Sequence, residues 1–219
     1  MFIFEKIKLM KLTSNKGRQI REEYSTTKEK QICDMRGLTQ VGGSRTKIDG
    51  SDGIINESIK NFSGKSTQVH LTTQKQFIKV LGLDQDSSEF VKLFCGNENI
   101  DNCGKDRYNT NEIDPEVLNS FLNFLDKNKK DVINLIVRNG FDITNVVYRN
   151  LKNDKTYSIS YIDIIKKIES CKWVPKNGGI HLKDSNGKTY FHFQREGKRN
   201  KNNRYNVLWH IHKNIFPID

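Results

Sequence analysis

The sequence predicts an α/β protein: a small mixed β-sheet core flanked by helices, with a C-terminal β-hairpin. Three observations carry that expectation. Stretches such as Ser66-Thr67-Gln68-Val69-His70-Leu71 alternate with the two-residue period of a strand. Val117, Leu118, Phe121, Leu122 and Leu125 recur instead at helical spacing. The two kinds of pattern are interspersed along the chain, as a fold of mixed class requires.

Taken in order, residues Asn15 to Gln31 read as a helix with Ser14 as its N-cap, and Gly42-Gly43-Ser44 breaks the chain after it. Thr46 to Lys60 reads as two short strands around a Ser51-Asp52-Gly53 turn. Alternation points Ile55 and Ile59 one way and Ser58 and Lys60 the other. Ser66 to Leu71 follows as a third strand, then a helix opened by Thr73 and Gln76 at capping-box spacing. Ser87 to Cys95 suggests a short helix and Gly96 to Asn111 a polar loop. Asp114-Pro115-Glu116 is a strong helix start, and Asn139-Gly140 ends the helix running over Asp131 to Arg138.

Val146 to Leu151 and Thr156 to Ser160 form a hairpin pattern, and Ile162 to Glu169 a helix. A second hairpin pattern spans Ile180 to Arg195 around Asp184-Ser185-Asn186-Gly187. Asn206 to Phe216 is expected to close the chain as a helix. On a helix His210 and His212 diverge, which argues against a metal pair there. The organisation is read as one compact domain in three parts: 1–83, a helical segment 84–145, and a strand-rich part 146–219.

Lys and Arg number 37 against 26 Asp and Glu, a net charge of +11. That excess favours a polyanionic partner, most commonly nucleic acid. No run is apolar enough to span a membrane, and charges interrupt the first ten residues too often for a signal peptide. A cytoplasmic location is the resulting expectation. Cys33, Cys95, Cys103 and Cys171 form no Cys-x-x-Cys pair, so reduced thiols are expected rather than a zinc site. There is no Walker loop, dinucleotide-binding glycine fingerprint, nucleophile elbow or His-Glu-x-x-His, and no nucleotide cofactor is expected.

The sharpest feature is the segment from Asp49 to Lys60. An aspartate at the end of one strand and a lysine at the end of the next are costly on a buried side unless they are used. The order helix, Asp-ending strand, turn, Ile-Lys strand, strand, helix over residues 15–82 resembles the core of the PD-(D/E)xK nuclease superfamily, in the style of type II restriction endonucleases. The resemblance implies a restriction-endonuclease-like fold and magnesium-dependent hydrolysis of double-stranded DNA at a short specific sequence, with manganese able to substitute. It implies Asp49 as metal ligand, Lys60 as catalytic lysine and the Ile59 carbonyl as a further ligand. Ser58 stands where most members have an acid. A carboxylate from the first helix, Glu23 in preference to Glu22, is expected to replace it, with Glu57 as the remaining alternative. A homodimer matching a palindromic site is implied by the same analogy. A structure-selective nuclease on the same core and a non-catalytic DNA-binding protein are the other readings.

Candidate DNA contacts follow from charge and alternation. Gln68 and His70 are expected to share a face of the third strand, with Lys65 just before it. His181, His192 and Gln194 are expected on the polar front of the C-terminal hairpin. Arg195, Lys198, Arg199 and Lys201 lie at the start of a basic loop that could track phosphates.

Overall fold

The computed structural model describes residues 28–42, 46–96, 107–176, 178–197 and 205–218. The fold is mixed α/β, but the strands build two five-stranded sheets where the sequence pattern suggests one small one. The first sheet contains β1 (Thr39–Gln40), β2 (Gly50–Ser51) and β3 (Asn56–Phe62), which pair in that order as antiparallel neighbours. The chain then leaves through β4 (Ser66–Thr73), α2 (Gln74–Leu81), α3 (Gln85–Cys95), α4 (Pro115–Lys127) and α5 (Lys129–Val137). It returns as β5 (Asn145–Asn150), parallel to β3, and β6 (Thr156–Ser160). A long crossover of this kind is what a parallel pair needs.

After α6 (Tyr161–Glu169) come β7 (Lys172–Lys176), β8 (Gly179–Lys183), β9 (Thr189–Arg195) and β10 (Asn206–His212). With β4 they form the second sheet in the order β4-β10-β9-β8-β7, antiparallel throughout. β4, the third strand in sequence order after Asp49, therefore lies in the second sheet and not in the first. Its partner is β10, which local sequence order does not reveal.

The expected C-terminal helix is likewise a strand followed by a short 3-10 turn, Lys213–Ile215. Val207, Trp209 and Ile211 alternate with His210 and His212. The first three are fully buried, and the two histidines stay partly exposed. That period of two is a strand signal which a helix would scatter around its circumference. Strand β7 escapes the sequence pattern because Pro175 interrupts it. The proline is tolerated because β7 is an edge strand.

Two of the expected caps are realised, while Ser14 lies outside the described residues. The Thr73 hydroxyl accepts the Gln76 N–H at 3.2 Å to open α2. The Asp114 carboxylate accepts the Glu116 N–H at 2.7 Å, with Pro115 in the first turn of α4.

The main core joins helices α2–α4 to the second sheet. Phe77, Phe90, Phe94, Phe121, Phe193 and Trp209 are fully buried, with neighbouring ring centroids 4.5–6.0 Å apart. The first sheet contributes Phe62, Val146 and Tyr148 to this core from one face. From its other face Ile59 and Val147 pack on Ile32 and Cys33 of a helix, α1, described over residues 28–35. Most of the helix expected at 15–31, Glu22 and Glu23 included, lies outside the described residues. The helix runs past the expected end to residue 35. There Gly37 (φ 69°) takes the left-handed conformation, the Leu38 N–H bonds the Cys33 carbonyl at 2.8 Å, and the Gly37 N–H bonds that of Asp34 at 3.2 Å. This pairing satisfies carbonyls the helix end would leave open.

Cys33, Cys95 and Cys171 are buried free thiols, and Cys103 lies outside the described residues. Among the described residues no helix is long and apolar enough to cross a membrane.

Candidate active site

Asp49 is held from both sides by backbone. Its N–H donates to the Glu57 carbonyl at 2.8 Å, and its carbonyl accepts the Val41 N–H at 3.0 Å and the Gly42 N–H at 3.3 Å. The turn beyond it is fixed by Asp52, whose Oδ1 accepts the N–H groups of Ile54 and Ile55 at 2.9 and 2.6 Å, with Gly53 at φ 91°. These constraints aim the Asp49 side chain across the gap where β2 parts from β3. Its Oδ2 accepts the Ile59 N–H at 2.6 Å, and the Ser58 hydroxyl and the Lys60 ammonium at 3.4 Å each. The N–H and C=O of one strand residue point to the same side, so the Ile59 carbonyl also faces Asp49. It accepts Lys60 Nζ at 3.2 Å. Among the described residues Asp49 Oδ1 has no hydrogen bond.

Glu29 on α1 brings a second carboxylate within electrostatic range of Asp49 and Lys60. Glu29 precedes Ile32 by three residues and Cys33 by four, so it shares the helix face that packs on Ile59. The Cys33 thiol itself lies 3.7 Å from the Asp49 carbonyl. Burial and the neighbouring Asp49 push the Glu29 carboxyl up to about 7, against the opposing pull of Lys60. The expected substitute Glu23 lies outside the described residues. Glu57 is excluded by its partner: it is buried and receives Arg36 Nε and Nη2 at 2.5 and 2.6 Å. Alternation along β3 points Glu57 away from Lys60, and the α1 side of the sheet supplies the arginine that fixes it there.

The close approach of α1 to β2 depends on Gly50. A Cβ there would stand 2.7 Å from Cys33 Sγ and 3.3 Å from Leu38 Cδ1. Gly50→Ala should therefore cost about 1–3 kcal/mol of stability by overpacking, read from urea denaturation. Cys33→Ala in the same chain should recover most of that loss.

Lys47 is a second group that motif reading passes over. It donates to the Val69 and Ile136 carbonyls at 2.6 Å each, tying the segment before Asp49 to β4 and α5. Burial, reinforced by the charge of Lys60 and partly offset by Asp49, pushes the Lys47 ammonium down to about 7. No spacing rule singles it out, because its partners are backbone carbonyls distant in sequence.

No family model matches the chain, and no curated protein matches it. Among solved structures it is similar to the restriction endonuclease MspI in complex with its cognate DNA. The similarity has 10% sequence identity and a TM-score of 0.47, and covers 90% of this chain and 80% of that one. The functional reading rests on the site geometry and not on this likeness.

The donor set suits a hard divalent cation. The Asp49 charge helps raise the proton affinity of Glu29, one Asp49 carboxylate oxygen has no hydrogen bond among the described residues, and a backbone carbonyl faces the same gap. Magnesium takes oxygen ligands of this type. Asp49, Glu29 and the Ile59 carbonyl would hold it. Because Glu29 must lose its proton to ligate, magnesium affinity should weaken as pH falls below about 7, with protons released on binding. Calorimetry in buffers of different ionisation enthalpy would read that release. A pH-independent affinity between pH 6 and 8 would remove Glu29 from the ligand set.

The expected DNA contacts divide into three groups. Lys65 and Gln68 are exposed, and Gln68 helps line a cleft with Lys47, Asn139 and Phe141. Lys198, Arg199 and Lys201 lie outside the described residues. The remainder are buried or engaged within the protein. An irregularity in β4 sets Gln68 opposite His210 but His70 opposite Trp209, so the two fall on opposite faces. His70 is buried, and burial followed by the Lys47 charge pushes it down to about 4, which leaves it neutral and unsuited to a phosphate. Arg195 donates to the carbonyls of Phe94 (2.9 Å) and Tyr108 (2.7 Å) and to Asn109 Oδ1 (2.8 Å), so it bolts β9 to the helical layer. Gln194 commits its amide oxygen and nitrogen to His192 and His210, and His181 stacks on His192. These groups bind one another within the sheet.

Proposed function

We propose that this protein is a divalent-metal-dependent deoxyribonuclease that hydrolyses phosphodiester bonds in double-stranded DNA. The observation that carries the reading is the convergence of Asp49, Glu29, Lys60 and the Ile59 carbonyl where β2 parts from β3. Isolated surface aspartates and lysines do not gather a second, desolvated carboxylate from another element. A bound magnesium ion would polarise the scissile phosphate and lower the pKa of a ligated water.

The chain's own groups supply the rest. Asp49 and Glu29 position the charge. Lys60, anchored between Asp49 Oδ2 and the Ile59 carbonyl, would place its ammonium beside the attacking water and the phosphate oxygens, where negative charge grows. Ser58 donates to the same Asp49 oxygen and orients the ligand instead of joining it. The net charge of +11 favours the polyanionic substrate, and exposed Gln68 lies on the strand that Lys47 ties to the site, with exposed Lys65 just before it. Cleavage at one short sequence, by a homodimer on a palindrome, is the finer form of the proposal and follows the restriction-enzyme resemblance.

The test is digestion of a complex linear DNA with magnesium or manganese, followed by sequencing of the ends. Ends sharing one short motif support the restriction-type form. Ends confined to branched substrates favour a structure-selective nuclease. Lys60→Ala should reduce the single-turnover rate about 10²–10³-fold with DNA binding retained. A wild type that cuts nothing with either metal, or a Lys60→Ala protein as active as the wild type, would sink the catalytic reading.

A further inference from the structure

We infer that His181, His192 and His212 form a binding site for a borderline divalent cation of the zinc class, on the second sheet and separate from the carboxylate site. The three residues come from three adjacent strands. His181 on β8 and His192 on β9 are directly opposite, and His212 on β10 lies diagonally across from His192. One ligand atom from each lies within 4.8 Å of the other two. A zinc ion with bonds of about 2.0–2.1 Å wants its nitrogens about 3.4 Å apart in tetrahedral geometry. Small ring rotations on this strand platform reach that spacing. The close pair, His192 Nδ1 and His212 Nε2 at 2.7 Å, opens slightly while His181 moves in.

Hydrogen bonds behind the cluster supply an independent second observation. His192 Nε2 lies 3.1 Å from Gln194 Oε1, and Gln194 Nε2 lies 3.0 Å from His210 Nε2. One assignment satisfies both contacts: His192 donates from Nε2 to the amide oxygen, and the amide nitrogen donates to His210. That makes His192 the tautomer whose Nδ1 lone pair accepts the His212 Nε2–H, and metal binding moves the His212 proton to its own Nδ1, freeing Nε2. A ring N–H held by a carbonyl oxygen is the usual support of a metal-ligating histidine, because it sets the ring orientation and raises ligand basicity. Thr189 Oγ1, 3.5 Å from His181 Nδ1, plays a looser version of the same role and leaves Nε2 for the ion. His210 stacks on His192 at 4.5 Å between centroids and completes this support without joining the ligands.

Ligand chemistry separates the two sites. Three imidazoles suit zinc, nickel or cobalt, while carboxylates and a carbonyl suit magnesium. An ion here would clamp β8, β9 and β10 together at the far end of the chain. The inference is independent of the nuclease reading.

The test uses the full chain, tag-free and stripped with a chelator. Titration with Co²⁺ should give the visible absorption of a tetrahedral nitrogen site at one equivalent, displaced by Zn²⁺ but not by excess Mg²⁺. Zn²⁺ should raise the thermal midpoint by several degrees. Asp49→Ala should keep both signals. His192→Ala and, separately, the more conservative His212→Gln should weaken Zn²⁺ binding at least about tenfold, with circular dichroism confirming that at least one variant is folded. Three results would each overturn the inference: no Zn²⁺ binding by the wild type at micromolar concentration, wild-type affinity in the folded histidine variants, or loss of the cobalt signal in Asp49→Ala.

Discussion

Glu29→Gln should abolish metal-dependent DNA cleavage and, in the metal-free protein at pH 8, raise the thermal midpoint. The two effects have one cause. Glu29 is desolvated beside Asp49, and its carboxyl is pushed up to about 7 from an ordinary value of 4.5. A carboxylic acid raised in the folded state contributes stability that is fully present below about 4.5 and is lost as pH rises through about 7. At pH 8 the ionised pair therefore repels, and a neutral amide of the same shape removes the repulsion. Activity moves the other way, because an amide supplies no negative charge to the cation. Losing one of two anionic ligands should cost several kcal/mol of transition-state stabilisation, a fall of at least about 100-fold in rate. The diagnostic comparison is the midpoint at pH 8 against pH 4.5: Glu29→Gln should gain at the first and not at the second. A lower midpoint at pH 8 would mean that Glu29 serves chiefly as a partner of Lys60, and the metal assignment would pass to another acid.

Arg36→Ala should be the most destabilising single change near the site, costing about 3–5 kcal/mol. Glu57 has a side-chain exposure of 1% and takes both of its charge-assisted bonds from Arg36. The remaining partner is the Asn145 amide at 3.2 Å, which cannot neutralise a buried carboxylate. Arg36 lies just past the end of α1, so the pair also fixes where the helix carrying Glu29 sits against β3. The thermal midpoint should fall by roughly 6–20 °C. The double variant Arg36→Ala/Glu57→Gln should recover more than half of the loss, because it removes the stranded charge. If Arg36→Ala costs less than about 1 kcal/mol, water reaches Glu57 and the pair is not a buried one.

The proximity of Asp49 and Lys60 was legible because a short turn joins their segments, although Asp49 precedes β2 instead of ending a strand and Lys60 lies inside β3 instead of closing it. The second carboxylate was not. Its helix is described over residues 28–35, and Glu29 lies six residues beyond Glu23 in the sequence. The i, i+4 relation of Glu29 to Cys33, on the face shared with Ile32, was the available signal. Arg195 misled for another reason: charge counts cannot show that a guanidinium has carbonyl partners from Phe94 and Tyr108. The histidines misled through a period error, since two residues apart means divergence on a helix and the same face on β10. Local pattern thus identified the strands of both hairpins, while the assignment of β4 to β10 depended on pairing across most of the chain.

That pairing sets a schedule for assembly. β4 emerges well before its neighbour β10, which lies inside the sheet between β4 and β9. Such distant pairing is slow to form. Until it forms, β4 lacks the neighbour that fixes its position, and through Val69 it is also an anchor for Lys47 and hence for the Asp49 segment. A nascent chain that already contains Asp49, Glu29 and Lys60 but not β10 therefore still lacks one of the strands that frame the Lys47 anchor.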